Sequence, residues 1–493
     1  MDAITLTELR ALVGDAHVHT PASAQDPEHQ RQQTDWRGRY HGWAGAIVSP
    51  ANTAEVAAVV RCAARHGLSI VPQGGHTGLV GGGVPDTSGQ QLVLSLQRLR
   101  RIRAIDPANL TLTAEAGCLL AEVQAAAAEA GLLFPLSLAS EGSCTLGGNL
   151  ATNAGGTQVL RYGNARDLCL GIEAVTADGD VWHGLHGLRK DNAGYDLRHL
   201  LMGSEGTLGI ITAATIKLYP APRSQQAALL SCPTLDAALQ LLQAARRHLD
   251  AQLTGFELMG AYPLALTRQH LPAQAAVLDA LSDGAQPERP AASLGTGIDQ
   301  EGWVVLLDAA SALSAPALQD QLSELCSQAL DAGWVQQCAL SQSLAQYRAM
   351  WALREAIPMA EKAEGHMVKH DIGVPSSLIP GFVPRVQQQL QQTWPGVRIV
   401  CFGHMGDGNL HFNVQAPPDQ PIADFLRDHQ ARVEAIVYDV VQSLGGSIAA
   451  EHGVGQLKRG DLARRADPVK LAWMRAIKQA LDPQRRLNPG KVI

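Results

Sequence analysis

The chain has 493 residues, of which 46% are hydrophobic and 17% are charged, and these proportions are typical of a folded protein with two or three domains. A formal net charge of −7, with Lys and Arg dispersed along the chain, argues against nucleic acid as a partner. Because no run of eighteen apolar residues occurs and the first residues do not resemble a signal peptide, we expect no transmembrane segment and a cytoplasmic location.

The first half of the chain alternates short β-rich runs, glycine clusters and alanine-rich helices. Hydrophobic periodicity predicts helices over 54–66 and 119–130 and a strand over 68–72. A further strand is predicted over 210–219, where Pro220 stops it.

Clustered glycines become rare in the next part of the chain, where helices are predicted over 235–248 and 316–332. Pro316 suits the first position of its helix, where a missing N–H costs nothing. An exposed loop is predicted over 284–297, and a last helix over 468–481.

These shifts in composition divide the chain into three parts. They predict a ligand-binding domain over 1–220, a second domain over 221–465 and a return of 466–493 to the first domain. Eight cysteines without a Cys-x-x-Cys pair predict free thiols rather than a zinc ribbon or a redox dithiol.

Three glycine-rich segments, over 73–83, 147–156 and 203–209, lie beside apolar strands. Glycine has no Cβ, so its backbone approaches a ligand closely, and consecutive N–H groups form a concave anion site. One such segment is typical of a turn, whereas three in one domain favour an extended ligand that carries phosphate. None reads G-x-G-x-x-G, and the Gly490-Lys491 pair lacks a P-loop, so we expect a dinucleotide held by another fold.

A hairpin is predicted around Asp407-Gly408, a dipeptide that favours a two-residue turn. Folding about it places His404 opposite His411, with Cβ atoms roughly 4.5–5.5 Å apart, where two imidazoles can close on one metal ion. Asn413 shares the face of His411 because strand side chains alternate. Two histidines in this arrangement can also be incidental, and Glu451-His452 later in the chain strengthens the metal interpretation.

Residues 72–83 and 144–149 are similar to the FAD-binding domain of the vanillyl-alcohol oxidase superfamily. Residues 188–197 and 203–209 resemble the FAD-linked D-2-hydroxyacid dehydrogenases, the group that acts on D-2-hydroxyglutarate and D-lactate. Residues 351–355, the predicted hairpin, Glu451-His452-Gly453 and 487–491 extend the match to the end of the chain. The resemblance implies an α+β protein with a vanillyl-alcohol-oxidase-type FAD-binding domain and a second α+β substrate (cap) domain.

The resemblance also implies FAD, bound without a covalent link. The residues at matching positions are Pro72, Gly74, Gly75, His76, Thr77, Gly78, Gly142, Thr145, Gly148, Asn149, Thr152, Gly155, Glu205, Gly206, Ile211 and Asn488. Some superfamily members join FAD to a histidine in such a loop, so flavin attachment at His76 stays open.

A divalent metal, usually zinc, is implied on His404, His411 and Glu451. Two nitrogens and one oxygen suit zinc and leave a coordination position open for the substrate. His452 matches the family's base, with a pKa suited to proton removal near neutrality. The substrate-binding positions of the family match Arg354, Lys369 and Asn413, of which Asn413 would bind the substrate or order the hairpin.

Pro358 departs from the pattern of the D-2-hydroxyglutarate enzymes, which place a hydroxyl residue there against the distal carboxylate. Proline donates no hydrogen bond, so 2-hydroxyglutarate itself is less favoured.

Hydride transfer from the α-carbon of a D-2-hydroxy acid to flavin N5, giving the 2-oxo acid, is the activity that the resemblance implies. A glycolate-oxidase-type subunit of a larger complex and a metallohydrolase on a flavin fold are the alternatives, the latter without a supporting motif. The electron acceptor stays open between an electron-transfer flavoprotein, a quinone and a cytochrome, and a homodimer also stays open.

Overall fold

The computed structural model of the protein describes residues 1–20, 26–281 and 302–493. The loop predicted over 284–297 lies outside the described residues. The described chain forms two compact units. The first consists of Met1–Gly156, Gly163–Ala221 and Glu451–Ile493, and the second consists of Thr157–Tyr162 and the described part of Pro222–Ala450.

The chain returns to the first unit at Glu451, whereas the sequence predicted a return at 466. Hydrogen bonds explain this earlier return. The Gln456 Nε2 group donates to the Gly81 carbonyl over 2.9 Å, and the backbone N–H groups of Val454 and Gly455 donate to the Glu205 carboxylate. Such bonds satisfy backbone and carboxylate groups that would otherwise be buried without partners.

The first unit contains two larger sheets. The spatial order of the four-stranded sheet is Val18–His19, Ala46–Val48, Gln91–Ser95 and Ser69–Gln73, and the last three strands are parallel. The five-stranded sheet is antiparallel, in the order Ile102–Asp106, Thr111–Glu115, Ile210–Lys217, Cys169–Val175 and Val181–Gly184. Two short strands, Leu132–Leu133 and Tyr219–Pro220, pair separately.

Several helices of the first unit begin at polar caps. Asn52 accepts a hydrogen bond from the Glu55 N–H at the start of one helix, and Thr145 does the same for Gly148 at another. The helices are Ala3–Val13, Asp15–His17 (a 3₁₀ turn), Pro27–Gln33, Thr53–Arg65, Leu120–Glu129, Leu146–Thr152, Arg198–Leu201, Arg459–Arg465 and Pro468–Leu481.

The second unit is built on one antiparallel seven-stranded sheet. Its spatial order is Gln337–Leu340, Ser224–Cys232, Trp303–Ser311, Leu253–Gly260, Arg398–His404, Asn409–Gln415 and Asp371–Gly373. Leu229 and Leu230 belong to different apolar clusters, as do Leu306 and Leu307. Because strand side chains alternate, both faces of this sheet are buried.

Helices cover both faces of the sheet. One cluster is formed with Leu235–Leu249, Ala315–Asp331, Ile379–Thr393 and Ile422–Ser443, and the other with Ala261–His270, Pro272–Ala275 and Leu344–Glu364. The shorter helical elements of this unit are Val159–Tyr162, Asp250–Gln252, Ala276–Leu281 and Ser376–Leu378. None of the helices in the described residues combines the length and apolar character needed to cross a membrane.

Most of the predicted elements are confirmed with shifts of one residue at their ends. The confirmed helices are Thr53–Arg65, Leu120–Glu129, Leu235–Leu249 and Pro468–Leu481. Pro316 occupies the second rather than the first position of Ala315–Asp331. The strand predicted over 210–219 ends at Lys217, because Tyr219–Pro220 leaves the sheet to pair with Leu132–Leu133.

Candidate functional site

The first glycine-rich segment contacts, backbone to backbone, the residues that lead into the second segment in the first unit. A Cβ atom added at Gly75 would lie 2.0 Å from the Ser143 carbonyl oxygen and 2.9 Å from the Cys144 Cα. Gly75 is therefore required for this approach, since a side chain would displace backbone atoms. Gly78 and Gly142 have no atom within 4 Å of an added Cβ, so open space lies next to this contact. We call residues 74–78 and 142–149 the cradle.

The third glycine-rich segment supports the loop that follows His452. Glu205 has a left-handed backbone (φ 53°), and its carboxylate accepts hydrogen bonds from Val454 N at 2.7 Å and Gly455 N at 2.8 Å. The pKa of Glu205 is raised because burial disfavours the charged form. The two N–H donors lower the pKa, but their effect is smaller than that of burial. A Cβ at Gly453 would lie 2.7 Å from the same carboxylate, so the chain next to His452 is held close to Glu205.

Asn488 joins the C-terminal segment to the cradle. Its Nδ2 group donates to the carbonyls of Gly82 at 3.0 Å and Glu205 at 2.8 Å. Its Oδ1 atom is buried and has no hydrogen-bond partner among the described residues. A buried acceptor without a donor is costly, so Oδ1 fits a ligand that donates a hydrogen bond. FAD, with its imide N–H and hydroxyl groups, meets this requirement, and the glycine backbone accommodates its phosphates.

The other predicted cofactor residues lie in the same unit. Thr152 donates to the Gly148 carbonyl over 3.1 Å, and Ile211 is buried in its strand. Pro72, Thr77, Asn149, Gly155 and Gly206 also belong to the first unit. The His76 Nε2 atom lies 2.7 Å from the Thr34 carbonyl oxygen and donates to it, and burial lowers the pKa of this imidazole.

The hairpin of the second unit forms with a register different from the predicted one. His404 is opposite Asn409, and His411 is opposite Phe402, so the predicted direct pairing of His404 with His411 is wrong. Met405–Gly408 forms the turn, in which the His404 carbonyl accepts from Asp407 and Gly408.

Tertiary hydrogen bonds explain the longer turn of the hairpin. Gly406 N donates to the Phe256 carbonyl over 3.3 Å, and Val374 N donates to the Gly408 carbonyl over 2.8 Å. These bonds to neighbouring segments outweigh the local preference of Asp407-Gly408 for a two-residue turn.

His404 and His411 nevertheless lie on one face of the sheet as diagonal neighbours. Their ring centroids are 5.9 Å apart, and a ligand nitrogen of each lies within 4.8 Å of the other. The His404 Nδ1 atom is 2.6 Å from Glu257 Oε1. A carboxylate only accepts, so Nδ1 carries the proton and Nε2 is the nitrogen that suits a metal, which is the usual arrangement for a metal-binding histidine. The two histidines therefore fit a divalent metal.

Glu257 also binds the first of the predicted substrate residues. Its Oε2 atom accepts from Arg354 Nε at 2.7 Å, and the Arg354 guanidinium stacks 4.8 Å from the Phe402 ring centroid. Burial by itself would raise the pKa of Glu257, but the charges and hydrogen bonds of His404 and Arg354 lower it to about 2. The side chain is therefore a carboxylate at neutral pH.

Glu361 binds the other two predicted substrate residues. Its buried carboxylate accepts from Lys369 Nζ at 2.9 Å and from Asn413 Nδ2. The Asn413 Oδ1 atom accepts from His370 N at 3.1 Å. Because both ends of this amide are engaged, the geometry favours a role for Asn413 in ordering the hairpin.

Three acidic residues of this site, Glu257, Glu361 and Asp371, were not predicted from the sequence. Asp371 is opposite His411 in the sheet, and its Oδ1 atom accepts from Asn409 Nδ2 at 2.9 Å. A signal was present for Glu257, which interrupts the otherwise uncharged strand Leu253–Gly260. A charge within a buried strand requires a partner, but the sequence does not say which.

Two family models match the chain. One is described as FAD binding domain and matches residues 44–184. The other is described as FAD linked oxidases, C-terminal domain, and matches residues 221–492, more than half of the chain. The chain belongs to the FAD-linked oxidase family. As a member of it, the protein is an FAD-dependent oxidoreductase.

Curated relatives of this FAD-linked oxidase match over most of their length. The D-2-hydroxyglutarate dehydrogenase of Xanthomonas citri pv. viticola is 39% identical over 93% of this chain and 91% of the relative. The mitochondrial D-2-hydroxyglutarate dehydrogenase of Bos taurus is 35% identical over 95% of this chain and 80% of the relative.

Solved structures show the fold of this FAD-linked oxidase. An alkyldihydroxyacetonephosphate synthase matches with a TM-score of 0.75 at 17% identity, over 99% of this chain and 86% of that chain. A p-cresol methylhydroxylase matches with a TM-score of 0.72 at 16% identity, over 99% of this chain and 96% of that chain. The predicted vanillyl-alcohol-oxidase-type fold is thereby confirmed, as is the resemblance to FAD-linked dehydrogenases.

We predict that acid precipitation of the purified, yellow oxidase releases free FAD into the supernatant. The cradle would hold FAD through backbone groups and amide side chains, and the His76 Nε2 atom already forms a hydrogen bond to the Thr34 carbonyl. Absorbance of the supernatant and of the washed pellet measures the partition. Flavin that stays with the polypeptide, and is lost from it in a His76→Ala variant, would contradict noncovalent binding.

Proposed function

We propose that the protein oxidises a D-2-hydroxy acid to the corresponding 2-oxo acid, with FAD and a divalent metal bound. D-2-hydroxyglutarate and D-lactate are the first candidate substrates. The observation that carries the proposal is that the Glu257 carboxylate binds both Arg354 and His404, whose ring centroid lies 5.9 Å from that of His411. Metal-binding nitrogens beside a guanidinium suit a substrate with a carboxylate and an adjacent hydroxyl. Relatives named D-2-hydroxyglutarate dehydrogenase support the substrate class.

Glu451 is proposed as the third metal ligand. Its chain neighbour Ala450 donates its N–H to the Asp371 carbonyl over 3.4 Å, and Asp371 is the strand partner of His411. Glu451 therefore directly follows a residue, Ala450, whose backbone is hydrogen-bonded to the strand partner of His411. When bound, the metal would fix the substrate's α-hydroxyl and carboxylate and acidify the hydroxyl, while FAD would accept the hydride at N5.

His452 is proposed to take the hydroxyl proton, because a neutral imidazole has one ring nitrogen that can accept a proton. Gly453 follows it, and the Glu205 carboxylate holds the next two backbone N–H groups. These hydrogen bonds restrict the loop that carries His452. They therefore reduce the entropy that is lost when His452 is oriented towards the substrate.

Arg354 and Lys369 are proposed to bind carboxylate groups of the substrate. The Arg354 Nε–H is used by Glu257, so its two terminal nitrogens present a fork that fits a carboxylate. Lys369, which is tied to Glu361, contributes a single charge.

Pro358 lies inside the helix Leu344–Glu364, one turn after Arg354. Because it offers no donor to a distal carboxylate, this position favours a shorter acid such as D-lactate over D-2-hydroxyglutarate.

Anaerobic mixing with enantiomeric pairs of 2-hydroxy acids tests the proposal. We expect D-2-hydroxyglutarate or D-lactate to bleach the flavin absorbance, with the L-enantiomers inactive at the same concentration, because the α-hydrogen of only one enantiomer can face the flavin when three groups are bound. Stopped-flow absorbance measures the rate. Faster bleaching by the L-enantiomers, or no bleaching by any of these acids, would refute the proposal.

The electrons then pass to an acceptor, which we propose is an electron-transfer flavoprotein, a quinone or a cytochrome. The glycolate-oxidase-type alternative predicts that further subunits copurify with this chain. Purification from the native host and separation by gel electrophoresis distinguish the two arrangements.

A further inference from the structure

Glu257 occupies the centre of the second unit's sheet. In the strand Leu253–Gly260 it is directly opposite His404 on one side and Leu306 on the other. The Glu257 side chain is only 1% exposed. Burial of a carboxylate at such a position is unfavourable unless both oxygens are bound to donors or cations.

Each Glu257 oxygen has a different charged or ionisable partner. Oε1 accepts from His404 Nδ1 at 2.6 Å, and Oε2 accepts from Arg354 Nε at 2.7 Å. The Arg354 guanidinium also stacks on Phe402, which lies two residues before His404 in the same strand. The Glu257 carboxylate thus determines which His404 nitrogen carries the proton. It also determines that the Arg354 guanidinium uses its Nε edge within the protein.

We infer that Glu257 is a positioning residue that couples the metal ligand His404 to the carboxylate-binding Arg354. The inference rests on the proposed function, in which these two residues bind metal and substrate. By holding Nδ1–H, Glu257 directs Nε2 of His404 to the metal and increases its basicity. By holding Nε–H, it leaves the two terminal nitrogens of Arg354 for the substrate.

An amide of the same shape cannot do both tasks. Glutamine offers one acceptor oxygen and one NH₂ donor, whereas His404 Nδ1–H and Arg354 Nε–H are both donors. One of the two contacts would therefore become donor against donor, or His404 would have to adopt the other tautomer, which protonates the metal-binding nitrogen. The Arg354 charge would also lose its buried counterion.

The test is Glu257→Gln, with Asp308→Asn as the matched control. Asp308 is a buried acid on the neighbouring strand Trp303–Ser311 and accepts hydrogen bonds from Thr254 and from Trp351 Nε1. The control also converts a buried carboxyl group of this sheet to an amide, but the Asp308 side chain bonds to Thr254 and Trp351 rather than to His404 or Arg354. Thermal melts confirm that each variant is folded.

Competition with a chromophoric chelator measures zinc affinity, and the visible spectrum of the Co²⁺-loaded protein reports the ligand geometry. We expect Glu257→Gln to bind zinc about 10–100-fold more weakly and to change the Co²⁺ spectrum. At saturating metal the KM for the substrate should still rise about tenfold or more, as expected when Arg354 loses a charge-assisted hydrogen bond. FAD content should stay unchanged, and Asp308→Asn should match the wild type in zinc affinity and Co²⁺ spectrum.

The possible failures are distinguishable. Wild-type protein that binds no divalent metal would refute the metal site of the proposed function. Wild-type protein that binds metal, with Glu257→Gln equal to it in zinc affinity, Co²⁺ spectrum and KM, would refute the role of Glu257 alone. If Glu257→Gln does not fold, Glu257→Asp replaces it. The shorter carboxylate cannot span both partners, so it should weaken zinc binding or raise KM, and wild-type values of both would overturn the inference.

Discussion

Treatment of the purified enzyme with a strong chelator is expected to abolish substrate-dependent flavin reduction while the flavin stays bound. His404 and His411 belong to the second unit, whereas the cradle of glycine backbone, Glu205 and Asn488 belongs to the first. Removal of the metal therefore leaves the FAD contacts in place. Elemental analysis and the flavin spectrum measure the two contents, and anaerobic stopped-flow mixing measures reduction.

Added zinc, manganese or cobalt should restore the activity, and the chelator presaturated with zinc serves as the control for inhibition by the chelator itself. Full turnover by rigorously metal-free enzyme would remove the basis for assigning His404, His411 and Glu451 as ligands.

Two acid-to-amide variants distinguish the oxygen ligand. Asp371 is the strand partner of His411, and one of its carboxylate oxygens lies within 4.8 Å of a His411 ring nitrogen. Glu451→Gln should lose the metal, because a neutral amide is a poorer ligand than a carboxylate. Asp371→Asn should retain it, because its carboxylate is already bonded to Asn409. The reverse result would make Asp371 the ligand.

Replacement of His452 by alanine is expected to lower the rate of flavin reduction by about 10²–10⁴-fold, the usual contribution of a positioned general base. The variant should retain both FAD and metal. The Glu205 carboxylate binds the backbone N–H groups of Val454 and Gly455, which the substitution does not alter, so the loop keeps this support. Stopped-flow bleaching gives the rate, and elemental analysis gives the metal content.

Arg354→Ala provides a comparison for His452→Ala. Loss of Arg354 should mainly raise the KM for the substrate, although poorer orientation of the substrate also slows flavin reduction. If His452→Ala loses the metal while Glu451→Gln keeps it at full affinity, the roles of the two adjacent residues have been assigned the wrong way round.

Local sequence determined most of the secondary structure and the identity of the cradle. Asn52 and Thr145 start their helices by accepting hydrogen bonds from N–H groups three residues later, which is a local interaction. The glycines at 74, 75 and 78 marked the cradle because only a residue without Cβ allows the close backbone approach that Gly75 makes. These glycine motifs, together with the later motifs in their order along the chain, allowed the family to be inferred from the sequence.

The tertiary structure decided the register of the hairpin and the acids that organise its histidines. Asp407-Gly408 favours a two-residue turn, but bonds from Gly406 to Phe256 and from Val374 to Gly408 select a longer one. Glu257 is 147 residues from His404 in sequence and 2.6 Å from it in space. Such a pairing depends on which strands become neighbours, and a sheet's strand order is set by packing over the whole unit rather than by any local pattern.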